Sequence, residues 1–273
     1  MTTVVVSPHL DDAVLSVPEF MHMRALQGER VIVLTVFSEG DDGYAARRAE
    51  DLAALAVLGV EPLHLGLFDA PVRRGLARSF RALVLGALPP DDADAALVAR
   101  AIADRLAPLQ PTATLLPLGV GEHVDHRIVH AAHAVLPGPL GFYEDRPYAS
   151  IAHATLARLL RLGATVDGLA IRPRPAAIEE FMAAARVAPH VRAYLPAAER
   201  EACLRPLAAS LAVSPQPSGL ALRSWRAPGT SALRSVAVQA IQAYRSQRND
   251  LFGDLEVATW FAAQDPARIY WRI

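Results

Sequence analysis

The sequence predicts an α/β fold: a Rossmann-like, mostly parallel sheet with helices on both faces and an extended C-terminal helical and loop region. Three observations predict it. Short apolar runs alternate with amphipathic stretches through the first half, the pattern of βαβ crossovers. One run, Arg30 to Phe37, is almost continuously apolar, as a strand buried on both faces requires. Of the 273 residues, 52% are hydrophobic and 20% charged, enough to fill a core and too apolar for a disordered chain.

Taken in order, Thr3–Val6 reads as a strand and Ala13–Gln27 as a helix. Arg30–Phe37 is the buried strand. Ala45–Leu58 is a helix, with Leu52, Leu55 and Leu58 at helical spacing and Gly59 as its C-cap. Pro62–Leu67 (strand), Ala93–Leu106 (helix), Ala113–Leu118 (strand), His126–Leu136 (helix) and Leu140–Tyr143 (strand) complete the first half. Past residue 150 the reading is helical: Ile151–Leu162, Ala176–Ala188, Ala197–Val213 kinked or split at Pro206, and Ser231–Asn249. Ser214–Gly229, rich in proline, serine and glycine, reads as a long loop. Residues 1–150 are therefore expected to form a Rossmann-like core. Residues 151–273 extend it, complete the fold and shape a substrate pocket, as one domain overall.

Composition excludes several functions. The net charge of −1 gives no electrostatic footprint for nucleic acid. One cysteine, Cys203, allows neither an internal disulfide framework nor a cysteine-rich zinc module. All 27 Lys and Arg residues are arginine, which excludes Schiff-base chemistry and a lysine-dependent phosphate loop. Met1 runs almost directly into the first strand, and no apolar stretch reaches the ~20 residues of a membrane span. The expected setting is the cytoplasm.

Two clusters carry chemistry. Ser7-Pro8-His9-Leu10-Asp11-Asp12 follows the first strand, at the edge where parallel sheets bind ligands. An imidazole and two adjacent carboxylates are costly to bury unpaired, and a cation resolves that cost. His9 and Asp12 can converge on one metal while Asp11 stays free to move protons. The competing reading makes Asp11 or Asp12 a helix cap. Gly119-Val120-Gly121-Glu122-His123-Val124-Asp125-His126 follows the strand at Ala113–Leu118 and so sits on the same edge. Two histidines and one aspartate from two strand ends fit a three-ligand catalytic zinc with an open position, His126 being the third ligand. Iron(II) suits the same set. His123 with Asp125 reads as an imidazole oriented by a carboxylate, suited to proton donation or oxyanion stabilisation.

The remaining histidines read differently. His126, His130 and His133 share a helix face, but Arg127 stands where a zincin helix carries glutamate, so His130 and His133 read as packing or hydrogen-bonded residues. His22, His64, His153 and His190 are isolated and read as structural or exposed. Gly119-Val120-Gly121 lacks the third glycine of a dinucleotide fingerprint.

Ser7 to Asp12 together with His123-Val124-Asp125-His126 resembles the PIG-L/LmbE-type N-deacetylases, zinc hydrolases that remove acyl groups from N-acylated amino sugars. Arg47-x-x-Glu50 with Leu58-Gly59, and Tyr244-x-Ser246-Gln247, also resemble the family. The likeness is good over about residues 3–145 and loose beyond. It implies His9, Asp12 and His126 as zinc ligands, Asp11 as general base, and His123 as electrostatic or acid partner with Asp125 tuning it. Arg47 becomes a substrate contact. Leu10 and Ala13 depart from the usual His-Pro-Asp-Asp-Glu, as in a branch of the family. Gly121 stands where some members carry a tyrosine that contacts the tetrahedral intermediate. Tyr143 and Tyr148 are the candidates to supply that contact.

The resemblance implies hydrolysis of an N-acyl amino sugar in a small-molecule glycoconjugate. The large C-terminal half favours a glycosylated natural product such as a glycopeptide or aminoglycoside intermediate. The alternatives are a zinc amidase acting on a sugar–thiol conjugate and a non-catalytic sugar-binding protein of the same fold. Arg73, Arg74, Arg78 and Arg81, in the insert Pro71–Pro90, are candidates to hold an acidic substrate group.

Overall fold

The computed structural model describes residues 1–75, 80–86, 88 and 92–273. Its strands are β1 (Thr2–Ser7), β2 (Arg30–Thr35), β3 (Glu61–His64), β4 (Ala113–Pro117), β5 (Leu140–Tyr143), β6 (Thr165–Val166), β7 (Leu169–Ala170), β8 (Ala221–Arg226) and β9 (Arg268–Arg272). They form one sheet in the order β3-β2-β1-β4-β5-β9-β8-β6-β7. The first five run parallel, with Val4 opposite Ile32 and Thr114, and β9 joins β5 antiparallel.

Side-chain alternation along the strands fills two cores. Val4, Val6, Ile32, Leu34 and Leu116 face one, beneath helices Ala93–Leu106, Val124–Ala131, Ala154–Leu162, Ala177–Val187 and Arg200–Ala209. Val5, Val31, Val33 and Leu115 face the other, beneath Asp12–Ser16, Pro18–Leu26, Tyr44–Leu58, Ser231–Ile241 and Val257–Ala262. Burial on both faces is why the parallel strands read as unbroken apolar runs. Gly59 takes the left-handed conformation (φ 71°) and closes helix Tyr44–Leu58. Leu52 of that helix faces solvent, while Leu55 and Leu58 are buried.

The sequence reading needs correction in four places. The helix expected over Ala13–Gln27 breaks at Val17, because Pro18 has no amide to continue it and disfavours helical geometry before it. Pro206 does not split its helix, which runs through it from Arg200 to Ala209. The expected loop Ser214–Gly229 contains β8, hydrogen-bonded between β9 and β6. Helix Ser231–Ile241 ends before Tyr244, and a separate short helix follows at Arg248–Phe252. The C-terminal half thus contributes four strands to the sheet as well as helices. Among the described residues no helix is long and apolar enough to cross a membrane.

The strand order reverses between β1 and β4: β2 and β3 extend one way from β1, and β5 the other way from β4. The two loops that leave β1 and β4 therefore diverge and open a crevice at the carboxyl edge. Both histidine clusters lie there.

Candidate metal centre

Ser7 fixes the first loop, its hydroxyl donating to the His9 carbonyl (2.7 Å) and accepting from the Ala13 amide (3.1 Å). The His9 amide donates to Asp12 Oδ2 (2.8 Å), which turns that carboxylate back over the loop. Asp11 occupies the N-cap position of the next helix, yet its carboxylate caps nothing. The cap reading therefore fails for Asp11, and its side chain is left for other work.

Whether these residues suit a metal ion depends on which lone pairs face inward. His126 Nδ1 lies 2.7 Å from Asp145 Oδ1 and His9 Nε2 lies 3.1 Å from Asp125 Oδ2. Each carboxylate holds the proton on the outer nitrogen of its histidine. The inner nitrogens, His9 Nδ1 and His126 Nε2, then present lone pairs, 3.2 and 3.3 Å from the same oxygen, Asp12 Oδ2. Three donors converging on one point, each imidazole backed by a carboxylate, form a candidate divalent-metal site. Burial pushes both imidazoles down, but the carboxylates outweigh it and lift His9 to about 9 and His126 to about 10. The same negative field that draws protons onto these rings draws a cation.

The second loop departs from expectation at Asp125. Its carboxylate orients His9, not His123. Oδ2 accepts from His9 and from the Ala70 amide (3.0 Å), and Oδ1 accepts from Arg73 Nη2 (2.6 Å). His123 is instead oriented by the Asp125 backbone, whose amide donates to His123 Nδ1 at 3.3 Å as the N-cap bond of helix Val124–Ala131. That bond places the proton on Nε2. Burial drives the ring down to about 3, so His123 is a neutral imidazole with one N–H to offer.

Asp11 lies beside this cluster with Arg47 Nη2 3.6 Å away. Burial, then the neighbouring Asp12, raises its carboxyl to about 6, against the pull of Arg47. Arg47 stacks over the Tyr44 ring at 4.8 Å. Tyr148 stands edge-on to His126, ring centres 5.5 Å apart, and burial holds its hydroxyl protonated. A Cβ on Gly121, in left-handed conformation, would meet the Tyr148 ring at 2.4 Å, so the ring occupies the space a side chain there would take. Tyr143 is elsewhere: it is fully buried and its hydroxyl donates to the Val6 carbonyl (2.9 Å), which makes it a core residue. Of the arginines in the insert, Arg73 also grips Asp94 and Arg74 pairs with Asp92 and Asp94, so neither is left for a substrate acid. Arg81 is exposed, and Arg78 lies outside the described residues.

Residues 4–136 match the family model described as PIG-L: GlcNAc-PI de-N-acetylase. They form a PIG-L family domain. The whole chain also resembles solved deacetylases. It shares 23% identity and a TM-score of 0.64 with a deacetylase–bog complex of the teicoplanin biosynthesis pathway, covering 100% of this chain and 97% of that one. The A40926 pseudoaglycone deacetylase follows at 21% and 0.63, with 99% and 96% covered. The zinc inhibited form of a teicoplanin deacetylase gives 22% and 0.62, with 100% and 97% covered. At such identities these likenesses establish the shared fold. No curated protein matches the sequence.

The PIG-L domain contains both histidine clusters but not Asp145, which sequence reasoning missed. Asp145 follows β5 on the same carboxyl edge, and that placement was the available signal. It is fully buried, and its Oδ2 accepts from the Gly119 and Val120 amides at 2.8 and 2.9 Å while Oδ1 orients His126. Asp145→Asn is expected to weaken metal binding about 10–100-fold, the usual cost of losing such a partner. Competition against a chelator reads the change directly. An unaltered affinity would remove Asp145 from the site.

Proposed function

We propose that this protein is a metal-dependent hydrolase that removes an acyl group, acetyl in the simplest case, from the nitrogen of an amino sugar. The observation that carries the proposal is the convergence of His9 Nδ1 and His126 Nε2 on Asp12 Oδ2, with Asp11 and His123 beside it. His9, Asp12 and His126 would hold zinc, with iron(II) the alternative. The zinc-inhibited form described for one structural neighbour supports a divalent ion at a site of this kind. Bound there, the ion would acidify water and polarise the acyl carbonyl.

The chain's own residues supply the proton movements. Asp11, ionised near neutral pH and bonded to no cap, takes the proton from the attacking water and carries it toward the departing amine. His123 offers its Nε2–H to the developing oxyanion, and the Tyr148 hydroxyl adds a second donor. Arg47, beside Asp11 at the opening, contacts the substrate. Structural neighbours named for teicoplanin and A40926 pseudoaglycone support a glycosylated natural product of the glycopeptide class as substrate.

The test combines elemental analysis with amine release. Purified protein is expected to carry about one divalent ion per chain in an open three-ligand site and to release free amine from N-acetylglucosamine-bearing glycopeptides. No metal after reloading with zinc or iron(II) at neutral pH would overturn the reading.

A further inference from the structure

His190 is the second residue of helix Pro189–Tyr194, and only 5% of it is exposed. Both of its ring nitrogens are buried without a hydrogen-bond partner, a condition no other histidine shares among the described residues. His22, His64, His130 and His153 each place a ring nitrogen on a protein acceptor. His190 meets Tyr148 edge-on with ring centres 5.4 Å apart, and Tyr148 in turn meets His126. The unpaired imidazole is therefore one aromatic ring removed from a proposed metal ligand. Burial alone pushes it down to about 4, so the ring is neutral, with one donor and one acceptor to offer.

The same helix reaches the other side of the crevice. Tyr194 donates to Asp250 Oδ2 (2.8 Å), in helix Arg248–Phe252, and the charges of Asp11 and Arg47 both reach its hydroxyl. Pro189 packs against Gly253, where an added Cβ would lie 3.5 Å from the proline ring. Anchored by these contacts, helix Pro189–Tyr194 holds the His190 ring against Tyr148, the residue that meets His126.

Buried polar groups that lack protein partners mark places where a ligand or water completes the bonding. We propose that His190 is a specificity-determining residue that hydrogen-bonds a ring hydroxyl of the sugar. A sugar hydroxyl both donates and accepts, which matches the two nitrogens of a neutral imidazole. The inference rests on the hydrolase reading for its substrate class. Sites built to bond a substrate hydroxyl reject analogues that lack it far more strongly than apolar pockets reject added groups.

The experiment uses the full chain loaded with zinc, N-acetylglucosamine glycosides and their single-deoxy analogues. Wild type is expected to lose about 100-fold or more in kcat/KM on one deoxy analogue. His190→Phe should lose a similar factor on the parent glycoside and become indifferent to that hydroxyl, while His190→Gln recovers most of both. Metal content should stay at the wild-type level in each variant. A wild type indifferent to every single-deoxy change, or a His190→Phe variant with the wild-type deoxy penalty, overturns the proposal and assigns the ring to water. Calorimetric binding of free glucosamine and its single-deoxy analogues to wild type and His190→Phe separates the two readings. Discriminating binding without turnover retains His190 and removes the hydrolase assignment; equal binding of the parent and every deoxy sugar removes His190.

Discussion

Asp11→Asn is expected to keep its metal and its fold while turnover falls by about 10²–10⁴, the usual contribution of a positioned general base. The separation of effects follows from the contacts. The Asp11 carboxylate caps no helix, and its salt-bridge partner is Arg47 at 3.6 Å. It lies outside the three-donor set of His9, Asp12 and His126. Removing its charge leaves that set intact, so elemental analysis and melting curves should match wild type. Asparagine fills the same space without accepting a proton at neutral pH, so only the rate should respond. Turnover within a few-fold of wild type would assign the base elsewhere, and the neighbouring His123 would be first to test.

His126→Ala is expected to release the metal and abolish turnover together. His126 is 1% exposed and couples Asp12 on one side to Asp145 on the other. Its loss also strands the Asp145 carboxylate on two backbone amides, an uncompensated burial that costs about 1–3 kcal/mol of stability. The variant should therefore melt earlier even without metal, whereas removing a pure surface ligand would not do so. His130→Ala is the control: its ring bonds the Pro117 carbonyl and lies outside the cluster, so metal should remain. Retention of metal by His126→Ala would move the ion to the neighbouring set of His9, His123 and Asp125, which is equally within reach.

Much of the parallel half could be read from sequence because strands buried on both faces leave continuous apolar runs, as Val31 to Thr35 do. The switch point then follows, since both histidine clusters come directly after such runs. β8 escaped because Arg223 and Arg226 interrupt it and proline and glycine flank it. β6 and β7 are two residues each, too short for any periodicity to register. Within the site, residue type and order exposed His9, Asp11, Asp12, His123 and His126, which the fold brings together. What the sequence hid was the direction of carboxylates. Asp125 is adjacent to His126 in the chain but turns to His9, because Arg73 and the Ala70 amide draw it there. Asp145 serves His126 from 19 positions away, on a different strand end. Tyr143 and Tyr148 looked equivalent, yet one ends a strand facing the core while the other follows the turn beside His126.

The position of β5 bears on how this protein can vary. The strand begins at Leu140, after the PIG-L match ends at residue 136, and it leads to Asp145 at the candidate metal centre and to Tyr148 beside His126. Its far edge is covered by β9, made of the last residues of the chain. The family segment is therefore not a portable unit. A chain stopped at its boundary would keep the three proposed ligand residues, lose the carboxylate that sets the tautomer of one of them, and leave β4 with an open flank. Substitutions that disturb β5 or the β9 strand beside it would therefore act on the proposed metal centre from outside the family segment.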